Sequence, residues 1–151
     1  MSPSALLELE LLEIEEFSRQ RFGFATAAFE HVFGASDKGL GDDDQSWIVN
    51  GMAQVATHDA DDKEYKCDRW KVGDVIGLAC DLSTMQMHVS VNGSFAAPNG
   101  AVFELDPDAV HDGLFAAFSG MSGKVRCNLG EAPFKHAPPV ADYQLFAAFK
   151  A

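Results

Sequence analysis

The side chains best suited to chemistry in this 151-residue chain are its carboxylates. Asp59, Asp61 and Asp62 begin with the spacing of a calcium loop, in which oxygens at alternate positions wrap a hard cation. The pattern then fails, because position six is Glu64 where an EF-hand needs glycine and position twelve is Trp70 where it needs glutamate. Asp42, Asp43 and Asp44 offer a second, looser cluster of oxygens, and both clusters read first as solvated loops. Nucleophile chemistry has no frame here: Gly120-Met121-Ser122-Gly123 lacks the Gly-x-Ser-x-Gly spacing of a strained elbow. Gly39-Leu40-Gly41 has no third glycine to complete a dinucleotide loop, and the three aspartates after it would repel phosphate. His31, His58, His88, His111 and His136 show no metal-ligand spacing. The sequence thus points away from enzymatic activity and implies no cofactor.

Charge narrows the partners. With 11 Lys and Arg against 23 Asp and Glu, the formal charge is −12. Nucleic-acid binders need enough cations to displace phosphate counterions, so nucleic acid is excluded as a partner. The same charge opposes an anionic membrane surface. No apolar run approaches the ~20 residues that span a bilayer, and the first residues lack a signal peptide's basic and apolar regions. Cys67, Cys80 and Cys127 form no CxxC pair, a usage that suits a reducing compartment. The expectation is an intracellular, soluble protein. Twelve Phe against two Tyr place most of the aromatic mass inside.

The elements that must position any site are short strands. Residues 85–91 alternate, with Met85, Met87, Val89 and Val91 on one side and Gln86, His88 and Ser90 on the other, the period of a half-buried strand. Asn92-Gly93 then supplies the positive-φ pair of a tight hairpin, predicting residues 94–97 as the return strand. Residues 75–80 form the strand before it. A second hairpin with the same turn chemistry is predicted around Asn50-Gly51, from residues 47–49 to 52–57. Residues 21–29, 101–105, 114–118 and 124–129 read as further strands, with 31–44, 59–67 and 106–112 as connections. Residues 6–17, LLELELLEIEEF, stay open: Leu and Glu favour helix, whereas the alternation up to Leu12 favours strand. Many short strands with regular turn signals give an all-β class, an antiparallel sandwich in one domain.

The blocks Gly41-Asp42-Asp43-Asp44-Gln45-Ser46-Trp47, Asn50-Gly51, Trp70-Lys71-Val72-Gly73-Asp74-Val75-Ile76-Gly77 with Asp81, Val91-Asn92-Gly93, and Val125-Arg126-Cys127-Asn128-Leu129-Gly130 with Pro133-Phe134 resemble, in order and spacing, the SPRY domain. The likeness covers residues 7–139, leaving 140–151 as an extension of a single domain. It implies a bent antiparallel β-sandwich of the lectin-like, jelly-roll type, and assigns residues 6–17 to a strand. It also implies a non-catalytic protein-interaction module, an adaptor or subunit of a larger assembly, whose loops at one end grip a partner segment.

Carried over by position, that pocket draws on Glu16, Arg19 and Gln20, on Thr57 and His58, and on Phe118, Ser119, Gly120 and Met121. In the SOCS-box adaptor branch an Arg, a Tyr and a Trp dominate the pocket, where this chain has Glu16, Thr57 and Phe118. The departure removes a cation and two aromatic anchors, so apolar or basic segments are the expected partners, at micromolar affinity. Only five residues precede Leu6, where the family carries one or two more strands. An uncovered sheet edge is therefore expected, to be closed by residues 143–149 or by a partner. The alternative function on this architecture is a calcium- or carbohydrate-binding sandwich, with no metal ligands identified.

Overall fold

The computed structural model describes residues 4–15, 20–30, 39–120, 122–136 and 144–145. These form eleven strands and, among the described residues, no helix. One sheet has the order β10 (Lys124–Asn128), β1 (Ser4–Glu13), β6 (Val75–Asp81), β7 (Gln86–Val91), β8 (Gly100–Glu104), with β11 (Gln144–Leu145) also beside β1. The other has the order β5 (Asp61–Glu64), β4 (Val55–His58), β3 (Ser46–Asn50), β2 (Arg21–Thr26), β9 (Leu114–Ser119). Each ladder is antiparallel except the short parallel pairing of β11 with β1. The all-β class read from the sequence is what the structure shows, in the two-sheet form that a β-sandwich requires.

The chain divides into two compact units, each holding one sheet. The first comprises Met1–Ile14, Lys71–Leu105 and Gly123–Ala151, the second Glu15–Trp70 and Asp106–Ser122.

In the first unit, the open question over residues 6–17 resolves as strand. Leu7, Leu9 and Leu11 are fully buried, as are Ile76, Leu78, Met87 and Val89 on the partner strands. Removing each such side chain from water contributes roughly 1.5–3 kcal/mol, which outweighs the helix preference of Leu and Glu. Leu12, which breaks the alternation, coincides with a register shift between Leu11 and Glu13 against β10. The extra residue is absorbed as a bulge. Of the two ways in which the edge was expected to close, the described residues show the chain's own: β1 has β6 on one side and, on the other, β10 together with β11, which lies within residues 143–149. Cys80 is buried in β6, and desolvation pushes its thiol up to about 12.

The glutamates of the same alternation do not face open water. Glu8 is 4% exposed, and its carboxylate accepts the backbone N–H groups of Lys135 (2.7 Å) and His136 (3.0 Å). Glu10 pairs with Lys135 Nζ at 2.8 Å and Arg126 Nη1 at 3.5 Å. The hydrogen bond from Lys135, helped by both positive charges, holds the Glu10 carboxyl below its usual range.

The Asn92-Gly93 turn has the expected conformation, with φ of 51° and 84°. Asn92 also donates to Asp74 Oδ1 (3.0 Å) and accepts from Val75 N (2.9 Å), tying the hairpin to the entry of β6. The predicted return strand is corrected: after Asn92-Gly93 only Ser94 bridges back to Val91, and β8, beginning at Gly100, makes the ladder. Pro98 has no N–H to donate to a ladder, which disfavours a continuous strand here. Gly77 leaves room for Ser90, whose Oγ lies 2.2 Å from where a Cβ would stand.

His88 is half-buried on β7, paired with Ala79. Desolvation lowers its pKa from the usual 6.5, against an opposing pull from Asp81. The unfolded chain therefore binds this proton more readily, so His88 costs stability as pH falls from above 6.5 toward the folded value. Urea midpoints at pH 7.5 and 5.5 are expected to show a smaller acid loss in His88→Gln than in the parent. Equal losses would remove His88 as a cause.

In the second unit, Phe22, Phe24, Trp47, Ile48 and Val49 are buried across β2 and β3. The hairpin around Asn50 differs from its expectation. Its connection is Gly51–Gln54, Asn50 Oδ1 accepts from Met52 N and Ala53 N at 3.0 Å each, and the positive φ falls on Gln54 at 57°. The Asn side chain has bonded its own turn, a competing use of that residue type. Gly51 instead provides space for Trp70, which is 2% exposed and stacked on Phe22 at 5.3 Å. Residues 61–64, expected as part of a connection, form β5, an exposed edge strand of four charged residues.

Candidate functional site

Glu16, Arg19 and Met121 lie outside the described residues. The other candidates all belong to the second unit, and sheet pairing sorts them. Paired residues on antiparallel strands share a face, and neighbours along a strand alternate. Phe118 pairs with Phe22 and Ser119 with Arg21, while Thr57 pairs with Ile48 and His58 with Trp47. Phe118 and His58 therefore occupy one face of the sheet, Ser119 and Thr57 the other. Three strand spacings separate β9 from β4, about 14 Å. The six described candidates do not converge on one pocket.

Gln20, Phe118, Ser119 and Gly120 do come together. Gln20 is 4% exposed, and its Nε2 donates to the Ser122 carbonyl at 2.6 Å. A Cβ on Gly120 would stand 2.6 Å from Gln20 Oε1, so the glycine lets this buried amide brace the turn that follows β9. Beside it Phe118 is 43% exposed and meets Phe22 edge-on at 6.2 Å, with Trp70 stacked behind Phe22. The result is a solvent-facing aromatic ring on a rigid aromatic base, next to a braced turn. Such a ring loses little freedom when a partner covers it.

Thr57 and His58 are committed internally. Thr57 is buried and its Oγ1 donates to Asp62 Oδ1 at 2.6 Å. His58 stacks on Trp47 with ring centroids 4.6 Å apart and planes 5° from parallel. Its Nδ1 lies 2.8 Å from the Ser46 carbonyl, an acceptor only, so Nδ1 carries the proton.

The acidic loop is spoken for as well. Asp42 pairs with Arg21 at 3.2 Å and accepts from Gly39 N at 2.8 Å. Asp43 Oδ1 accepts from Gln45 N and from Ser46 Oγ, at 3.0 and 3.1 Å. Asp61 and Asp62 are adjacent on a strand and point to opposite faces. Among the described residues, no three His, Cys, Asp or Glu side chains are gathered to hold a metal.

No protein-family model matches the chain. One curated protein that it resembles is the E3 ubiquitin-protein ligase RKP of Arabidopsis thaliana, 32% identical over 134 residues. The match covers 87% of this chain and 10% of that protein. This chain is thus similar to about a tenth of a far longer ligase.

Sequence reasoning missed Phe115. At 57% exposed it is more open than Phe118, and it lies on the opposite face of β9. LFAAF is apolar throughout, so it carried no alternation to signal which ring faces out. The Gly51–Trp70 seat was missed for another reason, since the two lie 19 positions apart and only the fold joins them.

Proposed function

We propose that this chain is a SPRY-like, non-catalytic interaction module that holds a segment of another protein against Phe118 and the braced turn after β9. The exposed Phe118 ring, backed by Phe22 and Trp70, is the observation that carries this reading. The order of sequence blocks shared with SPRY domains supports it. Likeness to a short stretch of an E3 ubiquitin-protein ligase fits a recruiting part within a larger protein or assembly. Three free cysteines, two of them buried, fit a reducing, intracellular setting.

Partner capture from the native source by the full-length protein, quantified by mass spectrometry, tests the reading. Phe118→Ala is expected to reduce capture of specific partners at least tenfold, since exposed aromatic anchors carry about 2 kcal/mol or more of such interfaces. Unchanged capture by a folded Phe118→Ala protein would overturn it.

A further inference from the structure

Apart from β11, a parallel pairing of only two residues beside β1, four strands end the two sheets among the described residues: β10 and β8 in one, β5 and β9 in the other. An end strand offers unpaired backbone groups to any passing chain, and charged side chains are the usual deterrent. Three of the four carry them. β10 has Lys124 and Arg126, β8 has Glu104, and β5 consists of Asp61, Asp62, Lys63 and Glu64. β9, LFAAFS, has no charged residue, and among the described residues it pairs only with β2. Phe115 and Phe118 flank this edge from opposite faces, both substantially exposed. The chain entering β9 carries Asp106, Asp108 and Asp112, all exposed.

We propose that the β9 edge accepts an extended segment of a partner polypeptide as an added strand. That segment presents apolar side chains to Phe115 and Phe118 and a Lys or Arg to the aspartates before Leu114. Backbone pairing gives affinity in this mode, and the flanking side chains select the sequence. The net charge of −12 selects the occupant: it repels a second copy of this chain and attracts a basic strand. The inference rests on the interaction-module reading and shares Phe118 with it, adding Phe115 and the backbone edge of β9.

The probe is a synthetic Lys-Lys-Val-Val-Val-Val peptide, whose valines fall on both faces of an added strand, with a Glu-Val hexapeptide and a proline-interrupted Lys-Val peptide as controls. Expected results are submillimolar binding of the first, at least tenfold weaker binding of both controls, and at least tenfold slower hydrogen exchange of β9 amides when it is bound. Phe115→Lys should weaken binding at least tenfold. Phe115→Thr, which removes the ring without adding charge, should give a smaller loss, and both should keep the parent melting temperature. Binding that ignores Phe115→Lys, or protection appearing away from β9, would overturn the proposal. So would a dimer in sedimentation that Phe115→Lys disperses, because the occupant would then be a second copy. If Phe118→Ala abolishes native capture while the Lys-Val peptide fails to bind, the edge fails and the turn site stands. If the peptide protects β9 while Phe118→Ala captures normally, the turn site alone fails.

Discussion

Gly51→Ala is expected to destabilise the protein by about 3–5 kcal/mol, close to the cost of deleting a buried tryptophan. A Cβ at this position would stand 2.1–2.2 Å from Cε2, Cδ2 and Nε1 of Trp70. The indole has no free route of retreat, being 2% exposed and stacked on Phe22 with planes 18° apart. Packing holds it in place, because the buried Nε1 makes no hydrogen bond of ordinary geometry. For a chain of this size the melting temperature should fall by roughly 6–20 °C. A double-mutant cycle isolates the cause. Trp70→Ala alone should cost a similar amount, and Gly51→Ala added to it should cost little, a coupling of at least about 2 kcal/mol. Additive losses in urea denaturation would show that the glycine matters for some reason other than the ring.

Glu8→Ala is expected to cost about 2–4 kcal/mol, since a hydrogen bond to a charged group contributes roughly 1.5–3 kcal/mol and two are lost, with partial replacement by water. The carboxylate is almost wholly enclosed and accepts both the Lys135 and His136 amides. Glu8→Gln should lie between, because it keeps one acceptor oxygen but turns an N–H₂ toward the other amide. The distinguishing readout is hydrogen exchange at Lys135 and His136, expected to accelerate far more than exchange in β6. Uniform acceleration over the whole sheet would mean that Glu8 stabilises the fold generally and does not pin this segment in particular.

The Leu-Glu alternation of β1 shows how far sequence reasoning reached. Leu7, Leu9 and Leu11 could be assigned to one face as soon as a strand was granted, and Leu12 broke the alternation where the structure has its bulge. The glutamates could not be placed. Alternation says only that Glu8 and Glu10 face away from the leucines, and a polar face is ordinarily a wet one. Residues 135 and 136, more than 120 positions later, turn that face into a binding surface for the chain's own backbone. The two Asn-Gly turns make the same point over a shorter range. Asn92-Gly93 follows its dipeptide preference, whereas at Asn50-Gly51 the glycine is committed to Trp70 and the turn widens to residues 51–54.

The candidate site divides along the same line. Gln20, Phe118, Ser119 and Gly120 meet because β2 and β9 are neighbours, while Thr57 and His58 sit three strands away with their side chains already engaged. No local pattern encodes which strand lies next to which.

What the residues dictated unaided was the strand-rich class and the Asn92-Gly93 reversal, properties of periodicity and side-chain chemistry within a few positions. Strand order and register decided the rest: the closed flank of β1, the enclosed Glu8, the tryptophan over Gly51, and an uncharged outer strand bearing two exposed phenylalanines. Those depend on pairings between segments distant in the chain, whose energies arise only when the backbone brings them into contact.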